Sequence, residues 1–442
     1  MLALACFILV LVSTVISLLL YATSHGDSSL AFPFISKSKM LPPFADLRWI
    51  TANSECAVDL SKLATGMAWG CDPYGRGGNL PYPPFSVEFA RFLAVQGHHT
   101  SFLAFAWGLA LVSIMVILGL RKIGCCGYSY MVLALLISGF PMQLALERAN
   151  IDVGVFLLIT SLSVFLAIDS FAVSILAAII TWIVVAAKAF PLVGILAWIS
   201  LGSIEDIKVR KMTRLFVVGG LIAGVSSIFS WAMNSGDDIP RPEIDTFSHG
   251  LLVHGSSRLF WKLLNLLQTL NLPVSLVASL RLLPIVAISF FVLGLLLGLR
   301  KNSGINLRGE FAKGLETFEG RFLYHFVRIT GLVWLGCYIL TSNYDYRLIF
   351  AYPSFIYIAY WCVLRFKSDQ DVWVASLLFI GLVLTSWGPL PTYSALFSSD
   401  FTGTWLSFIG DVFFLPLLAG FIASFCLPLR LLIQFDRDSR VS

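Results

Sequence analysis

The chain has 442 residues, 58% of them hydrophobic and only 12% charged. No soluble core could hide that much apolar side chain, so the composition excludes a soluble globular protein and predicts a membrane protein. The formal charge of +5 is the expected excess of Lys and Arg on one membrane side and carries no nucleic-acid signal.

In lipid every backbone polar group must be satisfied within its own segment, so runs of about 18 or more apolar residues predict helices rather than strands. The first, Leu2 to Tyr21, has no basic residue before it and exceeds a signal core in length. With only YATSHG as a faint cleavage site after it, it is expected to be an uncleaved anchor. Residues 23–100 then form a long, turn-rich loop. Further runs follow at Ser101–Leu120, Gly127–Leu146, Ile151–Ile168, Ser170–Ala187, Phe190–Leu201, Leu215–Ala232, Leu276–Leu299, Phe322–Leu340, Leu348–Leu364, Val372–Leu390 and Trp405–Leu429. The expectation is an all-α, polytopic helical bundle of about 12 transmembrane helices forming one domain over residues 1–442, with no tandem repeat.

Basic residues near membrane ends resist translocation. Arg121/Lys122, Lys208/Arg210/Lys211/Arg214, Arg300/Lys301/Arg308/Lys313, Arg365/Lys367 and Arg430/Arg437/Arg440 all fall on one side of a twelve-span bundle, which is then cytoplasmic. The other side carries the loops 23–100 and 233–275 and three short turns. Six of the 8 cysteines lie in or near apolar runs, where reduced thiols are ordinary. Cys56 and Cys71 share the first outer loop, where a disulfide and two free thiols both fit. No Cys or His spacing indicates a metal site.

The polar residues that interrupt this apolar background carry the functional signal, because ionisable groups at membrane depth are costly and face a partner or a wet cavity. The first outer loop concentrates Asp46, Arg48, Glu55, Asp59, Asp72, Arg76 and Glu88, with Pro81, Pro83 and Pro84 stiffening its return. LERANID places Glu147, Arg148, Asn150 and Asp152 in an outer turn; AAKAFP places Lys188 in a second, and SNYDYRLIF places Asn343, Asp345 and Arg347 in a third. These three charged turns are expected to converge on one polar pocket. In the second outer loop, DTFSHGLLVHGSSRLFWKLLNLL carries His249, His254, Arg258 and Lys262 at the start of an amphipathic stretch expected to lie as a helix on the membrane surface.

Taken in order, FADLRWIT, a Cys, GCDPYGRGGNLPYPPF, LERANID, AKAFP and NYDYRLIF resemble the bacterial members of glycosyltransferase family 87, transferases of the GT-C fold that use polyprenyl-phosphate sugars. The resemblance runs from about residue 44 to about residue 350, and DPYGRGGNLPYPP is similar to the family's DPWGRPxNYPP. It implies a GT-C bundle whose large first outer loop carries the catalytic carboxylate, by position Asp46, as base on an acceptor hydroxyl. Asp72 and Asp152 stand as alternative bases. A departing lipid phosphate needs only cations and no metal or other cofactor, which implies Arg347, Lys188 and Arg148, then Arg258 and Arg48. The implied substrate-binding set is Asp72, Tyr74, Arg76, Asn79, Tyr82, Glu147, Asn150, Asp152, His249, His254, Asn343, Asp345 and Tyr346. The implied partners are a polyprenyl-phosphate hexose donor, mannose-like, a glycan or lipid acceptor, and membrane lipids. The implied site is the extracytoplasmic side of a bacterial inner membrane, and a single carboxylate implies inversion.

Two features depart from the family pattern. GRGGNLPYPPF has an extra residue between Asn79 and Tyr82, and Ala149 stands where the family commonly has Gly. The second departure predicts a backbone outside the positive-φ region at that turn. Two other classes remain open: a transporter or flippase of lipid-linked saccharide, and a polysaccharide polymerase or ligase. Against the first stands the lack of matched halves, and against the second the early position of the large loop.

Overall fold

Every predicted apolar run is helical where it is described, and the interruptions are where polar chemistry enters. The computed structural model describes residues 1–23, 99–168, 170–188, 190–202, 211–234, 253–254, 283–299, 317–340, 343–369, 371–387 and 409–427. The helices are α1 (Leu2–Thr23), α2 (His99–Ile123), α3 (Gly127–Ser138), α4 (Phe140–Arg148), α5 (Ile151–Ala167), α6 (Phe171–Ala187), α7 (Pro191–Gly202) and α8 (Lys211–Asn234). They continue with α9 (Leu283–Leu299), α10 (Phe318–Leu340), α11 (Tyr352–Ser368), α12 (Val372–Trp387) and α13 (Leu415–Cys426). A 3-10 turn, Asp345–Phe350, precedes α11, and a π-helical turn, Gly410–Phe414, precedes α13.

Among the described residues, Leu2–Thr23, Ser101–Ile123 and Phe318–Ile339 are long and apolar enough to cross a membrane, as in a membrane protein. The bent pair α3 and α4 makes a fourth if it counts as one span. Shorter apolar helical stretches, of 10–17 residues, are Ile151–Ala167, Phe171–Ala187, Thr213–Phe229, Ile285–Leu299, Val372–Trp387 and Gly410–Cys426. A 17-residue helix is about 25 Å long, just under a typical hydrocarbon thickness of about 30 Å.

Helix α10 is the hub: it packs against α5, α7, α11 and α13. Its most apolar window is 83% buried, against 17% for α1 at the margin. Phe326, Val327, Ile329, Val333 and Trp334 of α10 share one buried cluster with Tyr352, Phe355 and Ile358 of α11, where Trp334 meets the Phe355 ring edge-on. At one side α9 and α13 approach so closely that a Cβ on Gly420 would collide with the Phe291 carbonyl oxygen.

The run Gly127–Leu146 is not the single helix its hydropathy predicts. It breaks by 49° between α3 and α4, and the cause is Pro141. Without an N–H, Pro141 cannot bond the carbonyl of Ile137 four residues back. Gln143 replaces it: its Nε2 donates to Ile137 O at 2.6 Å and to Thr14 Oγ1 of α1 at 3.3 Å. Gly139 N–H turns back to Leu136 O, and the Leu135 carbonyl accepts instead from Trp387 Nε1 of α12 at 3.1 Å. The same logic explains the π turn. Pro416 cannot bond Val412, and Leu415 N–H reaches back to Gly410 O.

Two arginines of α10 finish two other helices. Arg321 Nε donates to the carbonyl of Ala167, the last residue of α5, at 2.9 Å. Arg328 Nε donates to the carbonyl of Cys426, the last residue of α13, at 3.0 Å, and its Nη1 bonds Tyr324 Oη. A cation at a helix C-terminus satisfies an orphan carbonyl and complements the macrodipole.

Among the described residues, one group of basic side chains gathers at one end of the bundle, where Arg121, Lys122, Arg321, Arg365 and Lys367 stand. Arg121 at the end of α2 pairs with Glu319 at the start of α10 at 2.8 Å. Lys122 lies over the Tyr357 and Tyr360 rings in the middle of α11, 4.6 Å from each centroid. The described cysteines, Cys6, Cys125, Cys126, Cys337, Cys362 and Cys426, are not joined in disulfides.

Two expectations need correction. Ala149 does adopt the left-handed conformation, φ 45 and ψ 42, as the residue that closes α4. The chain must reverse within two residues to start α5, and that demand outweighs the alanine Cβ clash. Further, Val253–His254 is a strand (β1) paired antiparallel with Asn343–Tyr344 (β2), Val253 opposite Tyr344 and His254 opposite Asn343. At His254 the chain is therefore strand rather than the start of a surface helix, and the rest of that expected stretch lies outside the described residues.

Replacing Ala149 with Gly is expected to raise stability by about 1 kcal/mol, because the left-handed conformation then carries no Cβ penalty. Gln143→Leu, which strands the Ile137 carbonyl, is expected to lower stability by about 1–3 kcal/mol. Thermal unfolding of the detergent-solubilised protein reads both changes.

Candidate functional site

At the end of the bundle opposite Arg121 and Arg321, three chain reversals meet. The first opens α5. Asn150 is its N-cap, with the side-chain Oδ1 accepting from the Asp152 N–H at 3.0 Å. Asp152 follows in the first turn, where the helix dipole favours a carboxylate. The second closes α6 on Lys188, which is extended at φ −152 and ψ 134 and whose N–H still bonds Val184 O. A cation suits that helix end. The third is the 3-10 turn that carries Arg347 toward α11.

The three side chains meet. Arg347 Nε donates to Asp152 Oδ2 at 3.0 Å, and Lys188 Nζ lies 3.1 Å from Oδ1 as an ion pair. The Asp152 side chain is 0% exposed, while Lys188 retains 10% and Arg347 16%. The guanidinium lies over the Phe190 ring, 5.2 Å from its centroid. Phe190 in turn sits edge-on to Phe350, which packs on Phe156 of α5. An aromatic wall thus holds the guanidinium plane from one side while the carboxylate holds its Nε edge. Because α5 carries Asp152 in its first turn and ends at the Ala167 carbonyl capped by Arg321, the triad and Arg321 are a full helix apart.

Of the residues singled out in the sequence, the structure brings Asp152, Lys188 and Arg347 into direct contact, from all three charged turns. Asn150 acts as a cap beneath them. Glu147 is buried and Arg148 half-buried in the last turn of α4, beside the same reversal. Asn343 lies in β2, and Asp345 and Tyr346 lie in the 3-10 turn with Arg347. The β1 and β2 pairing sets the backbone of His254 opposite that of Asn343, tying the second loop to the third turn. Asp46, Arg48, Asp72, Tyr74, Arg76, Asn79, Tyr82, His249 and Arg258 lie outside the described residues, as do Cys56 and Cys71.

Sequence reasoning overlooked four buried polar residues: Gln143, His325, Arg328 and Asp411, none more than 8% exposed. Asp411 stands in the π turn before α13, close to Tyr338 near the end of α10. The available signal was the one used elsewhere, an ionisable or amide side chain inside an apolar run.

Comparison with protein-family models, with curated proteins and with solved structures finds no match.

A buried carboxylate shared by two cations makes unequal demands on its partners. Asp152→Ala, which leaves two cations side by side without their shared anion, is expected to cost about 3–5 kcal/mol. Lys188→Met is expected to cost less, because Arg347 still neutralises Asp152. Unfolding of both variants in the same detergent measures the difference.

Proposed function

We propose that this protein is a membrane glycosyltransferase of the GT-C type, with about twelve helices crossing a bacterial inner membrane. It moves a mannose-like hexose from a polyprenyl-phosphate donor to a glycan or lipid acceptor on the extracytoplasmic side. The observation that carries the reading is the meeting of Lys188 and Arg347 on Asp152 at one end of the bundle. The resemblance of the loop motifs to glycosyltransferase family 87 supplies the reaction class.

In this mechanism Asp46 removes the proton of the acceptor hydroxyl as its oxygen bonds the anomeric carbon. The bond from that carbon to the phosphate oxygen breaks, and its electrons leave with the polyprenyl phosphate. Lys188 and Arg347 meet the charge that develops there, with Arg148, Arg48 and Arg258 as further cations. Fixed cations in a water-poor site stabilise such charge more than water does. Displacement without a second carboxylate nucleophile inverts the anomeric centre. Asp152 is unsuited to be the base, since both of its oxygens face protein cations. Asp72, Tyr74, Arg76, Asn79 and Tyr82 belong on the sugar and acceptor side of the same loop in this reading.

The bent pair α3 and α4 favours a second reading, a transporter or flippase of lipid-linked saccharide, because such proteins use broken helices beside their ligand sites. One assay separates the two. Purified protein in lipid receives radiolabelled polyprenyl-phosphate hexoses and a cell-envelope extract, beside the Asp46→Asn variant. The expected result is label moving to an acceptor with the native protein and at least about 100-fold less with the variant, the scale of a lost general base. Transfer at the native rate by Asp46→Asn removes Asp46 as the base. Donor translocated but never consumed supports the transporter.

A further inference from the structure

We infer that Asp152 is a positioning residue for a phosphate monoester: it touches no ligand but holds Lys188 and Arg347 side by side so that both cations reach one phosphate. The inference deepens the transferase reading and rests on it only for the lipid that carries the phosphate.

Three observations support it. First, exposure is graded: the carboxylate is sealed at 0%, while the two cations retain 10% and 16%. A ligand approaching the triad therefore meets the cations before the carboxylate. Second, the cations come from separate turns, one at the end of α6 and one in the 3-10 turn, Arg347 standing 195 positions from Asp152. Each takes a different oxygen of the same carboxylate, which sets their spacing directly. Third, Arg347 meets Asp152 through Nε, and Phe190 lies against its guanidinium face. A guanidinium carries, besides Nε, a pair of terminal nitrogens whose geometry matches a phosphate. A planar fork beside a compact ammonium is a combination suited to a doubly charged phosphate monoester.

The alternative is a purely structural carboxylate, a counter-ion that keeps two cations tolerable inside the bundle. The two roles separate on Asp152→Glu, which keeps the charge and shifts both cations by one methylene. A counter-ion role tolerates that shift; a positioning role does not. Full-length protein in lipid nanodiscs is titrated with a polyprenyl monophosphate, with the uncharged polyprenol and with inorganic phosphate, and each variant's unfolding temperature is recorded beside its affinity.

The native protein is expected to bind the polyprenyl monophosphate at least about tenfold more tightly than the polyprenol. Asp152→Glu is expected to weaken binding of the monophosphate by about tenfold while unfolding near the native temperature. Asp152→Asn, measured below its own unfolding temperature, is expected to weaken it as well. Either variant, folded, binding the monophosphate as tightly as the native protein or more tightly overturns the positioning role. Equal native affinity for monophosphate and polyprenol removes the phosphate site altogether. Inorganic phosphate binding as tightly as the lipid, and lost in the same variants, keeps the positioning role and overturns the lipid source.

The transferase reading fails separately. Phosphate binding that depends on Asp152 in a protein that transfers no sugar leaves this inference standing. Native sugar transfer by Asp152→Glu together with native affinity for the polyprenyl monophosphate sinks the inference and spares the transferase.

Discussion

An apolar surrounding leaves no water to satisfy a backbone carbonyl, and this constraint organises the described parts of the molecule. Wherever a proline interrupts a helix, or a helix ends inside the bundle, a particular donor is supplied. Gln143 and Trp387 serve the carbonyls released around Pro141, and the π turn absorbs Pro416. Arg321 and Arg328 close α5 and α13. These are long-range contacts, so the irregularities that weaken individual helices also staple them together: Gln143 joins the α3 and α4 break to α1, and Trp387 joins it to α12.

The same constraint separates charge along the bundle. At one end, cations such as Arg321 lie at helix C-termini and Arg121 pairs at the surface, where each satisfies a nearby group at little cost. At the other end, charge is buried, and Asp152 is acceptable there because it sits at a helix N-terminus between two cations. Burying such a triad is rarely the most stable solution, since apolar residues of similar volume often do as well or better. Its presence at the meeting of three reversals is the reason to look for function there rather than in the core around α10. The aromatic ladder of Phe190, Phe350 and Phe156 then links the guanidinium to that core, so the site's geometry is coupled to the packing of α5 and α10.

The bend between α3 and α4 shows where a pattern was present but underread. Gly139 and Pro141 stand in the middle of the apolar run, and hydropathy averages over them. Ala149 shows the converse: residue type argued against a left-handed backbone, but the closeness of α4 and α5 imposed one. The two-residue strand at His254 had no local signature, because a strand that short exists only through its partner at Asn343.

Apolar run length and residue type by themselves determined the helical class, the approximate helix positions and the two populations of charge, since burial of apolar side chains and the cost of ionisable groups act on composition and order alone. That the turns at Asp152, Lys188 and Arg347 belong together was also legible, from charges placed at alternate ends of successive apolar runs. Tertiary structure alone decided which atoms meet: one carboxylate between two cations, with the guanidinium face on Phe190. Contacts between residues 195 positions apart depend on how whole helices pack, and no local pattern encodes that.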